Sequence, residues 1–148
     1  MLKIAITSDH AGVSLKEEVL LHLRKKDYIT VDLGPHSSEA SVDYPDYAAK
    51  IAKRILDETV DIGIAICGTG IGMSIAANKI SGIRAACPWD EFSCEMCRRH
   101  NNTNILCLGS RTFEREKTFA ILDTWLTTPF DGNRHQMRLD KITALEQK

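Results

Sequence analysis

The segment Asp61-Ile-Gly-Ile-Ala-Ile-Cys67-Gly-Thr-Gly-Ile-Gly-Met73 decides the fold of this chain. Residues 61–67 form an almost wholly apolar run of strand length, which is typical of a β-strand buried on both faces of a parallel sheet. A glycine-rich turn at 68–72 follows, and the pattern then predicts a helix to about residue 80. A buried strand that passes through a tight turn into a helix begins a βαβ unit, so the segment predicts an α/β protein.

The same alternation of strand and helix extends in both directions from this segment. Short β-branched runs predict further strands at 3–7, 28–33, 83–87 and 105–108. Longer amphipathic stretches predict further helices at 13–25, 47–58, 91–99, 114–127 and 134–146, and residues 34–43 form a turn-rich loop. We therefore expect a five-stranded parallel sheet covered by helices on both faces. The 148 residues suit one domain, 1–148, because no linker or internal repeat divides them.

Composition excludes several classes of partner. Hydrophobic residues make up 43% and charged residues 26% of the chain, which is ordinary for a globular protein. The net charge of −1 gives no electrostatic basis for binding nucleic acid or an anionic membrane. No apolar run approaches the ~20 residues of a membrane span. The start does not resemble a signal peptide, and the five cysteines are an odd number, so we expect free thiols and a cytoplasmic location.

The glycine-rich turn predicts an anion-binding loop. Glycines let the backbone turn sharply and bring several N–H groups close to one negative atom, and the following helix directs its positive end to the same place. A dinucleotide loop would need a third small residue at the position of Met73, although Asp90 resembles a ribose-binding acid after the next strand. A dinucleotide site and a purely structural turn therefore remain as alternatives.

Cys67 is the candidate base of this site. It ends the strand and directly precedes the loop, and a helix N-terminus favours the thiolate form of a nearby cysteine. The alternative is a buried core thiol, the commonest fate of a free cysteine. We expect that fate for Cys87 and Cys107, which lie inside apolar runs.

Two histidines stand beside polar residues at predicted loop positions. Asp9-His10 follows the first strand, and His100-Asn101 follows the helix at 91–99. A lone histidine is more often structural than catalytic, but we expect both pairs to lie beside the anion-binding loop, where a histidine serves as acid or base.

Arginines near the end of the chain are candidates for binding a phosphate. Arg134 and Arg138 are four residues apart, so they share one helical face and can converge on one dianion, and Arg111 follows the fifth strand. A solvated helix face is the alternative explanation of the same spacing.

The motif Cys94-x-x-Cys97-x-x-His100 suggests zinc or a redox dithiol. Side chains at this spacing spread around one helix instead of converging, and no second cluster completes a four-ligand site. The dithiol interpretation is weakened because the pair lies late in its helix. The residues therefore predict a site without a metal. In this site a thiolate base removes a proton from the carbon next to a carbonyl, and an oxyanion hole stabilises the charge that develops on the oxygen.

Several longer motifs resemble one known family, that of ribose-5-phosphate isomerase B and the galactose-6-phosphate isomerase subunits. They run in the same order along nearly the whole chain: Ser8-Asp9-His10-Ala11-Gly12, Asp43-Tyr44-Pro45, Cys67-Gly68-Thr69-Gly70-Ile71-Gly72, Ala76-Ala77-Asn78-Lys79, Gly82-Ile83-Arg84-Ala85, Arg99-His100-Asn101-Asn102-Thr103-Asn104, Leu108-Gly109-Ser110-Arg111 and Gly132-Asn133-Arg134-His135-Gln136-x-Arg138.

The resemblance implies a Rossmann-like three-layer αβα sandwich that works as a homodimer, sometimes a tetramer, with the active site at the subunit boundary. It implies a phosphosugar substrate, namely ribose 5-phosphate and ribulose 5-phosphate of the pentose phosphate pathway, interconverted without a cofactor. By the same resemblance, Cys67 moves the proton between C1 and C2. The enediolate oxygen is held by Thr69 and by the loop amides of Gly68, Thr69, Gly70, Ile71 and Gly72.

The remaining roles also follow from the resemblance. His100 acts in ring opening, while Asp9, His10 and Asn101 contact the sugar. The phosphate is bound mainly by Arg111, Arg134 and Arg138. Some branches of the family carry a glutamate base at the position of Met73 in place of the cysteine. Residues 35–42 are less similar to the family, which leaves allose 6-phosphate or galactose 6-phosphate as alternative substrates. A non-catalytic phosphosugar sensor is a further alternative.

Overall fold

Five parallel strands form the centre of the protein. The computed structural model describes residues 2–146. The strands are β1 (Lys3–Ser8), β2 (Ile29–Asp32), β3 (Ile62–Cys67), β4 (Ala85–Ala86) and β5 (Ile105–Gly109). They lie in the order β2-β1-β3-β5-β4, and every neighbouring pair is parallel. Because all five strands point the same way, their carboxyl ends meet at one edge of the sheet and their amino ends at the other.

Six helices surround the sheet: α1 (Val13–Lys25), α2 (Tyr44–Leu56), α3 (Ile71–Ala77), α4 (Glu91–Arg99), α5 (Arg115–Thr127) and α6 (Arg134–Leu145). Buried residues of α1, α4 and α5 form one apolar core against the sheet, and those of α2 and α3 form a second core on its opposite face. The predicted three-layer αβα sandwich is confirmed.

The apolar run in β3 serves both cores at once. Successive side chains of a strand point to opposite faces. Ile62, Ile64 and Ile66 enter the core with α1 and α5, whereas Ala65 and Cys67 enter the core with α2 and α3. This alternation directs the Cys67 side chain toward the α2 and α3 side at the carboxyl end of the strand.

The edge strand β4 is shorter than the predicted strand at 83–87. The Asn78 side chain accepts a hydrogen bond from the Ala85 amide and donates one to the Ala85 carbonyl, both at 2.9 Å. The side-chain amide of Asn78 thus occupies the hydrogen-bonding groups that a further strand would use, so this edge of the sheet does not offer them to another chain.

Helix α2 begins three residues before its predicted start, because Pro45 fits the first turn of a helix.

Helix α6 is only loosely attached to the rest of its chain. His135 and Leu139 are its buried residues, while Met137, Ile142 and Leu145 expose large apolar side chains.

Over residues 2–146, no helix has both the length and the apolar character needed to cross a bilayer.

Candidate active site

The carboxyl edge of the sheet gathers the first group of predicted site residues, which we call the cysteine group: Asp9, His10, Cys67–Gly72 and Arg111. Backbone hydrogen bonds hold the segments together. The Asp9 amide donates to the Ile66 carbonyl at 2.9 Å, and the Arg111 amide donates to the Gly68 carbonyl at 3.0 Å. The carboxyl ends of β1, β3 and β5 therefore lie side by side at this edge of the sheet.

The loop after Cys67 wraps a backbone amide onto the thiol. The Gly70 amide donates to Cys67 Sγ across 3.1 Å. Gly70 has a φ of 79°, a left-handed conformation that favours glycine, and a side chain there would also collide with Cys87 Sγ. The loop therefore depends on glycine at this position, and its amide faces the sulfur that carries charge in a thiolate.

Further amides of the loop lie next to an exposed hydroxyl. Thr69 is exposed, and its Oγ1 accepts a hydrogen bond from the Ile71 amide at 3.3 Å. Ser74 donates its amide to the Gly70 carbonyl, so the amides of Gly72 and Met73 precede the helical hydrogen bonds. Donors at this position suit an anionic oxygen bound in the loop.

Asp9 and His10 are both held by neighbouring backbone. Asp9 Oδ1 accepts from the amides of Ala11 and Gly12 at 2.9 and 3.1 Å, so this carboxylate caps the short 3-10 turn His10–Gly12. His10 Nδ1 lies 3.2 Å from the Val42 amide nitrogen and 3.3 Å from its carbonyl oxygen. The turn-rich loop at 34–43 therefore fixes the orientation of the His10 ring.

The second group lies around the end of α4, and we call it the histidine group: His100, Asn101, Arg134, His135 and Arg138. The rings of His100 and His135 stack with centroids 4.1 Å apart and an interplanar angle of 6°. Arg134 Nε lies 3.5 Å from His135 Nε2.

An ion pair joins the segments that carry the histidine group. Arg99 Nε donates to both carboxylate oxygens of Asp131 at 3.1 Å, and the Asp131 amide donates to the Arg99 carbonyl at 3.0 Å. The end of α4 is thereby tied to the segment that leads into α6.

The two groups lie at opposite edges of the sheet. A helix that connects parallel strands runs antiparallel to them, so α4 begins at the carboxyl edge and ends at the amino edge. Six residues of β3 separate these edges, a distance of roughly 15–20 Å. The expectation that both histidine pairs lie beside the anion-binding loop is therefore correct for His10 and wrong for His100 within one chain.

Positive charge and burial dominate the electrostatics of the histidine group. The pKa of His135 is lowered because burial disfavours its charged form and because His100, Arg134 and Arg138 add positive charge nearby, against a smaller opposing effect of Asp131. The guanidinium cations of Arg134 and Arg138 beside this ring are suitable partners for a phosphate dianion.

Comparison with known proteins agrees with the fold and the arrangement of motifs. A family model described as Ribose/Galactose Isomerase matches residues 4–142. The chain belongs to this family. It is 46% identical over 148 residues to ribose-5-phosphate isomerase B of Escherichia coli (strain K12), covering 100% of this chain and 99% of the relative.

Solved structures of the ribose/galactose isomerase family superpose on nearly the whole chain. Ribose-5-phosphate isomerase B of Clostridium thermocellum has a TM-score of 0.96 at 46% identity, with 99% of this chain and 98% of that chain covered. The Mycoplasma genitalium ribose-5-phosphate isomerase B with bound ribulose-5-phosphate has a TM-score of 0.94 at 42% identity, with 99% of this chain and 97% of that chain covered.

One cluster in this ribose/galactose isomerase family member has the composition of a metal site. Among residues 2–146, the ligand atoms of His100, Asp131 and His135 all lie within 4.8 Å of one another. Arg99 already binds both oxygens of Asp131, however, and the parallel stacking of the two rings directs their in-plane nitrogen lone pairs alongside each other. This geometry is poorly suited to one shared ion.

Two parts of the site were missed from the sequence. His135 lies within one of the family motifs but has no predicted role, and its stacking on His100 joins residues 35 positions apart. Tyr44 packs its ring against Gly72, where an added Cβ would lie 2.9 Å from the ring. The position of His100 could have been predicted, because a helix that connects parallel strands runs antiparallel to them. No sequence pattern indicates the stacking of His135 on His100 or the contact of Tyr44 with Gly72.

Proposed function

We propose that this chain interconverts D-ribose 5-phosphate and D-ribulose 5-phosphate, a reaction of the pentose phosphate pathway. The Escherichia coli relative that carries this activity in its name is 46% identical over the full chain. The observation that carries the proposal within the molecule is the hydrogen bond from the Gly70 amide to Cys67 Sγ, at the start of the glycine-rich loop.

Cys67 is the base that moves a proton between C1 and C2 of the open-chain sugar. Its thiolate accepts the proton from the carbon next to the carbonyl, and the same thiol returns it to the neighbouring carbon of the enediolate. The Gly70 amide donates a hydrogen bond to this sulfur. The fully buried Met73 occupies the position of the alternative glutamate base, so it has no carboxylate to offer.

The loop amides and Thr69 stabilise the enediolate oxygen as charge develops on it. Preorganised donors of this kind lower a barrier by about 2.7–4 kcal/mol each. The exposed Thr69 hydroxyl and the amides of Gly68, Thr69, Ile71 and Gly72 are the donors proposed for this oxygen, while Asp9 and His10 provide polar contacts for the sugar.

The complete site forms between two copies of the chain in a homodimer, which in turn can pair into a tetramer. The cysteine group of one copy faces the histidine group of the other, because a single chain holds them at opposite edges of its sheet. Exposed apolar side chains near both groups provide a surface for this association: Ile71, Ile75, Trp89, Phe92, Met137, Ile142 and Leu145.

In this composite site, the histidine group opens the sugar ring and binds the phosphate. His100 acts as the acid or base of ring opening, and Asn101 contacts the sugar. Arg134 and Arg138 share one face of α6 and bind the phosphate together with Arg111 of the cysteine group. Phosphate binding remote from the reacting carbons holds C1 and C2 against Cys67.

The mechanism proposed here uses no cofactor and no metal. A thiol, backbone amides and an imidazole provide each proton transfer and each charge contact that an enediolate reaction needs. All five cysteines are free thiols, which supports a reducing, cytoplasmic location. The expected result of adding EDTA is unchanged turnover.

The test is an assay of purified protein for ketose formation with EDTA present. Ribose 5-phosphate, allose 6-phosphate and galactose 6-phosphate are compared in parallel. Turnover that is fastest on the pentose supports the proposal. A preference for a hexose phosphate would retain the mechanism and change the substrate, with the 34–43 loop beside His10 as the element to exchange. Binding of all three without turnover would indicate a phosphosugar sensor.

A further inference from the structure

A half-buried arginine holds the segment that directly follows His100. Arg84 immediately precedes β4, and its Nε donates to the carbonyls of Asn101 and Asn102, both at 3.1 Å. Its Nη2 also donates to the Asn102 carbonyl, at 3.0 Å. The donors of a guanidinium are fixed relative to one another, so these contacts set the position of two successive carbonyls at once.

The backbone of Arg84 is itself fixed against the same segment. The Arg84 amide donates to Asn104 Oδ1 at 2.8 Å, and the Asn104 amide donates to the Arg84 carbonyl at 2.9 Å. The Asn104 side chain also donates to the Gly82 carbonyl at 2.9 Å. Because the main chain of Arg84 is held in this way, its guanidinium has a firm base from which to bind the residues after His100.

The bound segment has an unusual backbone and a second guanidinium beside it. Asn102 has a φ of 44°, in the left-handed region that residues other than glycine rarely adopt. Arg98 donates from Nη1 to the carbonyl of the next residue, Thr103. Burial lowers the pKa of Arg84 and that of Arg98, and the charge of Arg84 lowers the pKa of Arg98 further. The arrangement therefore costs free energy, and it fixes one backbone conformation next to His100.

We propose that Arg84 is a positioning residue for the ring-opening step. It acts through the Asn101 and Asn102 carbonyls, and it thereby holds the His100 ring and the Asn101 side chain in place for the sugar. A catalytic group misplaced by about 1 Å can slow its step by roughly 10²-fold. This inference rests on the proposed function, in which His100 opens the ring and Cys67 moves the proton.

The two steps can be measured apart because only the aldose needs ring opening. Ribose 5-phosphate closes to a furanose through O4, whereas ribulose 5-phosphate stays open, because the oxygen that would close its furanose ring carries the phosphate. Removal of a C1 proton from the ketose therefore needs Cys67 and the loop amides but not His100. In deuterium oxide this step replaces the C1 proton of ribulose 5-phosphate by deuterium, which NMR detects.

The first experiment compares Arg84→Lys and Arg84→Met with the wild type in both assays. Lysine keeps the charge but lacks the planar fork that binds two carbonyls, and methionine removes the charge while retaining an unbranched side chain. In both variants kcat for ribose 5-phosphate should fall about 10- to 100-fold with KM nearly unchanged, while C1 exchange of the ketose falls less than about threefold. His100→Gln should show the same division between the two assays.

Arg24→Met is the matched control for loss of a guanidinium. Arg24 Nε donates to Thr30 Oγ1 at 3.3 Å on the surface, away from the histidine group, so this variant should keep both rates. Equal losses of turnover and exchange in the Arg84 variants would overturn the proposal, because Arg84 would then support the site as a whole. Unchanged turnover in folded Arg84→Met would overturn it as well. A wild type that lacks both activities would instead contradict the proposed function.

The second experiment tests the contact itself and does not depend on the reaction. Hydrogen exchange of backbone amides is compared between wild type and Arg84→Lys, the milder variant, after thermal unfolding has shown that both are folded. Loss of the guanidinium contact should speed exchange of the amides at 102–104 roughly tenfold and leave those of β3 unchanged. Equal protection of residues 102–104 in the two proteins would show that Arg84 does not hold this segment and would refute the proposal.

Discussion

Cys67 and His100 lie at opposite edges of one parallel sheet, with the length of β3 between them. The separation follows from the βαβ connection, because Cys67 ends a strand and His100 ends a helix that runs back along the sheet. A reaction that uses both side chains on one sugar phosphate therefore requires two chains, and this geometry decides how the proposed site is best tested.

Mixing two inactive variants should restore activity. Cys67→Ala and His100→Gln should each be inactive alone, since each homodimer lacks one group at both sites. Random reassociation makes half of the dimers mixed, and each mixed dimer has one complete site, so roughly a quarter of wild-type activity is expected. The measurement is ketose formation after joint denaturation and refolding of the two variants. A mixture that stays inactive, while refolded wild type recovers, would mean that the site lies within one chain.

Replacement of the base should stop chemistry and spare binding. Cys67→Ser preserves the size of the side chain but offers a much weaker base, so turnover should fall by at least ~10³-fold while phosphosugar affinity changes little. Calorimetric titration with ribose 5-phosphate, run beside the activity assay, separates the two effects. Cys107→Ala is the matched control, because it removes a buried thiol of the same core that has no role in the proposed reaction. Near-normal turnover of Cys67→Ser would exclude this residue as the base.

Loss of a phosphate-binding arginine should act mainly on KM. A hydrogen bond to a charged group contributes about 1.5–3 kcal/mol, so Arg138→Ala should raise KM by roughly 10- to 100-fold. Lys141→Ala removes the same charge one turn further along α6 and should leave KM unchanged. Steady-state kinetics of both variants provide the comparison, and equal effects of the two substitutions would point to a general loss of charge.

Stability should fall in mild acid because of His135. Its pKa is lowered in the folded chain, so the unfolded chain takes up the proton first as the pH falls below about 6.5. The contribution of a neutral, buried His135 is therefore complete above this pH and is lost as the pH drops through the folded pKa. Thermal unfolding between about pH 5 and pH 8 should show a steeper decline for wild type than for His135→Asn. Parallel curves would assign the acid sensitivity to other groups.

A methyl group at Gly72 should disturb the loop through Tyr44. An added Cβ would lie 2.9 Å from Tyr44 Cζ, and because this ring is 40% exposed and can shift, we expect a cost at the lower end of the about 1–3 kcal/mol typical of overpacking. Gly72→Ala should accordingly lower the free energy of unfolding, and Tyr44→Ala in the same chain should relieve part of that loss. Denaturant unfolding of both single variants and the double variant gives the coupling between the two sites. Strictly additive effects would show that the ring and the loop do not press on each other.

The sequence alone was sufficient to predict the sheet, the layers and most of the cysteine group. The period of the apolar residues is a local property, so the run at 61–67 and its neighbours identify strands and helices without further information. The position of Cys67 before the glycine loop follows from the same local order. The sequence also determined the family, through motifs that keep their order along the chain.

The strand order and the pairing of distant side chains emerged only in the tertiary structure. The folded chain moves His100 to the edge away from Cys67, stacks it on His135, and brings Arg84 to the carbonyls that follow it. Such contacts join residues far apart in sequence and depend on how whole elements pack against each other, which local periodicity does not encode. Local pattern thus determined the elements of this protein, and packing decided which of its reactive residues meet.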